Sequence, residues 1–110
     1  MQESPIFTRT FDLLMWLLPA LQKFPKDQRF MLTARIHAAA FNFYEAIVAA
    51  SLSKNKSRHL EHADSELQKL RLYLRLSQRL QFLSNSQYRH VFTLVEEIGR
   101  LLGGWMKKAV

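Results

Sequence analysis

The segment Arg71-Leu72-Tyr73-Leu74-Arg75-Leu76 decides the fold, because it admits two readings. Taken alone it alternates like a half-buried β-strand. Its surroundings overrule that. Leu60, Ala63, Leu67, Leu70 and Leu74 hold helical spacing, and Leu72, Leu76, Leu80 and Leu83 hold it on the opposite face. Two helical stripes account for every leucine, whereas a strand over 71–76 accounts for only three. The span from about residue 58 to 83 is therefore a helix with two apolar sides.

Outward from it, three more helices follow. Toward the C-terminus, Ser84-Asn85-Ser86 makes a short turn in which Ser84 or Ser86 caps a helix over about 86–107. Val91, Val95, Ile98, Leu102 and Trp105 form its inner stripe, with Phe92 and Leu94 beside it. Gly99 and Gly103 stand in mid-helix, each costing ~1 kcal/mol relative to Ala. Close approach of a neighbouring helix would offset that cost. Toward the N-terminus, Ser53 to Ser57 is a loop, and a helix over about 26–52 precedes it. Phe30, Ala34, His37, Phe41, Val48 and Leu52 form one stripe of that helix. Leu32, Ile36, Ala39, Phe43, Ile47 and Ala50 form a second, well away around its circumference. The first helix covers about 5–24, with Phe7, Phe11, Leu14, Leu18 and Leu21 on one face. Pro5 suits its first turn, Pro19 should kink it, and Phe24-Pro25 ends it.

Residues 1–110 thus read as a single all-α domain, an antiparallel up-down-up-down four-helix bundle. The composition agrees: 48% hydrophobic residues support a core, and 3 Gly with 3 Pro leave few turns. Two-sided apolar helices in so short a chain point to a subunit interface as well, for which Leu72, Leu76, Leu80 and Leu83 are the candidates.

Several chemistries are unsupported. With no Cys there are no disulfides or thiolate ligands, which suits a cytoplasmic setting. Glu3 and Asp12 do not suit a signal peptide, and the apolar run Leu13–Leu21 is too short for the ~20 residues of a membrane span. No nucleophile elbow, phosphate-cradling Gly-rich loop or Glu-x-x-His di-iron motif occurs. His59, His62 and Glu66 share a helical face and resemble a metal ligand set. Interleaved charges make that face a solvated first turn instead. His37, among phenylalanines, reads as a packed or interface residue. Glu96 and Arg100 read as an i,i+4 pair worth ~0.3 kcal/mol. The expectation is a protein without catalytic residues, metal or cofactor.

What remains is charge. The net +7 is uneven: residues 1–53 hold 5 basic and 4 acidic side chains, residues 54–110 hold 11 and 5. Between Leu67 and Val95 there are 5 basic residues and no acid. Arg71, Arg75 and Arg79 make a row along the third helix, joined by Lys69, Arg89 and Arg100, with Lys107 and Lys108 at the end. Guanidinium forks match phosphate geometry, and polyanion binding releases counterions. No aromatic platform alternates with the arginines, so sequence-specific single-strand reading is not indicated.

The stretch Leu17-Leu18-Pro19-Ala20-Leu21-Gln22-Lys23-Phe24-Pro25-Lys26-Asp27-Gln28-Arg29-Phe30 resembles the first hairpin of Avd, the accessory variability determinant of diversity-generating retroelements. Leu70 to Leu76, Gln87-Tyr88 and Glu97-Ile98-Gly99-Arg100-Leu101-Leu102-Gly103-Gly104-Trp105 resemble its C-terminal half. The four-helix proteins encoded in ribosomal RNA intervening sequences are the nearest competitor, and they would imply an oligomeric scaffold for a protein partner without nucleic-acid contact. The Avd resemblance implies a pentameric, positively charged barrel. It also implies association with the element's reverse transcriptase and template-repeat RNA, or DNA, in support of mutagenic cDNA synthesis. Arg89-His90 follows Gln87-Tyr88 where that family commonly has an acidic residue, which makes this surface more basic.

Overall fold

A computed structural model describes residues 4–109; Glu3 lies outside them. The described residues form four α-helices: α1 (Pro5–Leu21), α2 (Leu32–Leu52), α3 (Lys56–Arg79) and α4 (Asn85–Ala109). The segment that alternates like a strand is helical throughout. Among the described residues each helix touches its sequence neighbours, α4 closes onto α1, and no diagonal pair meets. Neighbours run antiparallel. Phe7 near the start of α1 meets Tyr44 late in α2 and Trp105 late in α4, with ring centroids 6.4 and 6.2 Å apart.

The core follows the helical periods. On α3 the stripe Leu60, Ala63, Leu67, Leu70 and Leu74 is buried, and on α4 so are Val91, Val95, Ile98 and Leu102. On α2 only the stripe through Leu32, Ile36, Ala39, Phe43, Ile47 and Ala50 faces the core. The other stripe is open: Phe41 is 39% exposed and Leu52 83%. Burying a Leu or Ile contributes roughly 1.5–3 kcal/mol each, so one face per helix supplies the stability of the bundle. Five of the buried core positions are alanines, Ala39, Ala40, Ala46, Ala50 and Ala63. Such small side chains permit close backbone approach, and α2 and α3 are the most tightly packed pair.

Helix 1 departs from the expected face. Ile6, Thr10, Leu13, Leu14, Leu17 and Leu21 point inward, while Phe11 is largely exposed. The inward set includes residues one position before the expected one, which turns the face by much of the 100° between successive side chains. Thr10 is buried because its hydroxyl donates to the Ile6 carbonyl at 2.7 Å, so no polar atom is stranded.

The helix ends also differ from the expected limits. Pro19 falls in the last turn of α1, and from there the chain tightens. The N–H groups of Gln22, Lys23 and Phe24 donate to the carbonyls three residues back, which ends α1 at Leu21. Phe24 then turns into the core against Phe82, centroids 5.6 Å apart. A 3-10 turn over Lys26–Gln28 follows. The helix does not continue from it, because Met31 leaves the helical region at φ −117° and ψ −104°; α2 begins at Leu32.

The end of α3 corrects one assignment. Leu83 does not continue the outer series of Leu72, Leu76 and Leu80. The helix stops at Arg79, and Gln81 takes a left-handed backbone with φ 67°. The Phe82 N–H donates to the Ser77 carbonyl at 2.8 Å and the Gln81 N–H to that of Gln78 at 3.0 Å. This is a Schellman termination. It reverses the chain and carries Leu83 inward, where it is 2% exposed. Leu83 is a core residue, not part of an outer face.

Ser84 caps α4. Its hydroxyl accepts the Gln87 N–H at 3.1 Å, and the Gln87 side-chain oxygen accepts the Ser84 N–H at 2.8 Å. The pair is a reciprocal capping box.

Candidate nucleic-acid interface

The α3–α4 seam carries most of the basic residues singled out in the sequence, and the fold divides them into two kinds. Lys69 and Arg71 are committed within the protein. Lys69 lies 2.8 Å from the carboxylate of Glu66. Glu66 is buried, and its second oxygen accepts from the Asn42 amide at 3.1 Å, tying α2 to α3. Burial pushes this carboxyl up. The hydrogen bonds from Lys69 and Asn42, with the nearby positive charge, outweigh burial and hold it below the usual carboxylate value. The Lys69 ammonium is raised in turn by its bond to Glu66. Glu66 is therefore occupied as an acceptor, and among the described residues no three His, Asp or Glu side chains gather as a metal site.

Arg71 reaches across the seam to pair with Glu96. A Cβ on Gly99 would overlap the Arg71 guanidinium, so this glycine accommodates a side chain of the neighbouring helix. Gly103 faces open space and does no such thing. Glu96, expected to pair with Arg100 along its own helix, is taken by Arg71 instead. The acid-free span from Leu67 to Val95 is thus bounded by two acids that reach into it. Both lie one residue outside, and between them they neutralise Lys69 and Arg71.

Arg75, Arg79, Arg89 and Arg100 are exposed and have no ion-pair partner among the described residues. Arg75 borders a groove of about 250 Å³ between α3 and α4, whose lining includes Leu72, Tyr88, Phe92 and Val95. Arg89 borders the adjoining depression with Gln78, Tyr88 and Phe92. Arg79 lies in a third, formed by the turn between the helices. These three arginines share one side of the molecule. Arg100 is apart, roughly 16 Å along α4 from Arg89 at 1.5 Å per residue. It lines a cavity with Phe7, Trp105 and Lys108 at the far end of the bundle.

The fold also supplies an aromatic element missed in the sequence. Tyr88 and Phe92 lie with ring centroids 6.0 Å apart, and Phe92 is 46% exposed. They are one turn apart on α4, so their pairing was readable. Their position beside Arg75 depends on how α4 docks on α3. His37 is half-buried, 6.4 Å from the Phe41 ring, on the outer face of α2. No described helix is long and apolar enough to cross a membrane.

A family model described as bAvd-like matches residues 6–109. No curated protein matches the chain.

Proposed function

The chain belongs to the bAvd-like family, and on that premise we propose that it is a non-catalytic accessory subunit of a diversity-generating retroelement. In this reading it works in the cytoplasm and binds the element's reverse transcriptase and template-repeat RNA. The observation that carries the reading is the trio Arg75, Arg79 and Arg89, exposed on one side with no ion-pair partner among the described residues. Unpaired guanidiniums along a seam suit a phosphate backbone. Lys69 and Arg71 position helices, and Arg100 belongs to a separate surface.

Assembly belongs to the same proposal. Leu72, Leu76 and Leu80 are exposed on α3, and Phe41 and Leu52 are exposed on α2. Two unlike apolar faces on one subunit favour head-to-tail contacts, which close into a ring when the rotation permits. A pentamer is the ring that the family resemblance implies. The same exposed leucines also favour a second reading, a scaffold that engages a protein partner without RNA.

RNA affinity measured across a salt series separates the two. The first reading requires affinity that falls steeply with salt, with a slope that flattens when Arg75 and Arg79 become alanine. Absence of binding, combined with reverse-transcriptase capture that survives nuclease and high salt, would establish the second.

A further inference from the structure

We propose that the α3–α4 groove is a stacking site for an unpaired nucleobase of the bound RNA, with Phe92 and Tyr88 as its aromatic wall and Arg75 as the contact to the adjoining phosphate. The inference rests on the RNA-binding reading above and refines it from phosphate attraction to single-strand preference.

Three features of the groove carry it. Its aromatic wall is preassembled, since Tyr88 and Phe92 already pack against each other and Phe92 remains nearly half exposed. At about 250 Å³ it is smaller than the ~300–1,000 Å³ pockets that enclose metabolites, and it is open to solvent along the seam. Its charge is also directional. Glu96 is occupied by Arg71, which leaves Arg75 on the lip with no carboxylate partner among the described residues. An exposed Phe92 ring, with Tyr88 tilted 44° against it, beside a guanidinium that has no ion-pair partner among the described residues matches a base and its phosphate, the pairing on which single-strand binding relies.

A duplex cannot use this arrangement. Its bases are stacked inside, and it offers phosphates and 2′-hydroxyls to the protein, so Phe92 would contribute nothing. A second copy of the chain fits less well. Covering the groove with another protein surface would desolvate Arg75 and Arg89 without a phosphate to compensate them. Leu76 and Leu80 do not line the groove. Leu72 marks the border between this surface and the outer leucine face.

The test uses a short single-stranded RNA carrying an adenine analogue whose fluorescence is quenched by stacking, and the same strand annealed to its complement. The unaltered protein should bind the single strand more tightly than the duplex and quench the analogue. Phe92→Leu, which keeps an apolar side chain, should weaken single-strand binding about tenfold. It should leave the salt slope and duplex binding unchanged, and Phe92→Trp should restore affinity. Tyr88→Leu provides a parallel reading should Phe92→Leu fold poorly. Undiminished affinity and quenching in both leucine variants, with salt-steep binding intact, would overturn the stacking site and leave the RNA reading standing. If the unaltered protein shows no salt-dependent RNA binding, both fall. If a folded Phe92→Leu loses oligomeric mass in light scattering, the groove is a contact between copies and the inference fails.

Discussion

The guanidinium of Arg71 occupies the space that Gly99 leaves by having no side chain. This relationship explains Gly99, one of the three glycines within α4, and leaves Gly103 and Gly104 unexplained. Among the described residues nothing lies within 4 Å of a Cβ added at Gly103. Gly103→Ala should therefore stabilise the fold by roughly 0.5–1 kcal/mol through helix propensity, raising Tm by a few degrees. Gly99→Ala gains the same propensity but displaces Arg71 from Glu96, which costs roughly 1 kcal/mol for a pair intermediate between exposed and buried. It should come out neutral to destabilising. In an Arg71→Ala background the same substitution should become stabilising, because nothing then competes for the space. Thermal unfolding of the unaltered chain, the Gly99→Ala and Arg71→Ala variants and their combination gives the coupling directly, and strict additivity would refute it.

Gln81 holds a left-handed backbone that costs L-residues roughly 1–2 kcal/mol. Glycine removes that strain but adds entropy to the unfolded chain. Gln81→Gly should therefore raise stability by about 0.5–1 kcal/mol, measurable by denaturant titration. A loss of stability would mean that the Gln81 side chain contributes more than its backbone costs.

Acid sensitivity should centre partly on Glu66. Its carboxyl is held below the ordinary value of 4.5 in the folded protein. The unfolded state therefore takes up the proton first as pH falls. The associated stability is fully present above that ordinary value and is lost as pH drops through the lower folded one. Glu66→Gln should flatten the fall in stability below about pH 4.5 relative to the unaltered chain, at the expense of some stability at neutral pH. Parallel acid-unfolding curves for the two proteins would count against this.

The division of the basic residues predicts how RNA binding responds to single changes. Arg75→Ala, Arg79→Ala and Arg89→Ala should each reduce the slope of log affinity against log salt by about 0.7–0.9. Lys69→Ala removes the same charge from a cation already paired with Glu66, and it should leave the slope nearly unchanged. Equal effects at all four positions would indicate that net charge alone governs binding.

The outer leucines and Leu83 should fail in different ways. Leu76→Lys with Leu80→Lys should leave the helix content unchanged and reduce the mass seen by light scattering. Leu83→Ala opens a space in the core and should cost roughly 2–4 kcal/mol without a specific effect on assembly. A double lysine variant that keeps its oligomeric mass would remove this face from the interface.

The helical class, the four-segment order and most of the core were legible in the chain itself. Periodicity is a local property, so Leu60 to Leu74 and Val91 to Leu102 reveal their inward faces before any partner is known. The glycine of a close approach and the serine cap of α4 were legible for the same reason, though not which glycine or which serine. Tertiary structure decided everything that depends on what stands opposite. Leu83 shares the spacing of Leu72, Leu76 and Leu80, but a left-handed residue at Gln81 ends the helix and turns it inward. The basic row looks uniform in the chain because Glu66 and Glu96 lie just outside it. Glu66 reaches Lys69 three residues along α3, and the docking of α4 brings Glu96 to Arg71, which leaves Arg75, Arg79 and Arg89 without an ion-pair partner among the described residues. Tyr73 is the one aromatic residue between the arginines of α3 and makes no platform by itself, and the docking of α4 brings Tyr88 and Phe92 beside Arg75. Helical spacing records which residues share a face, and helix packing determines which charges and rings meet across it.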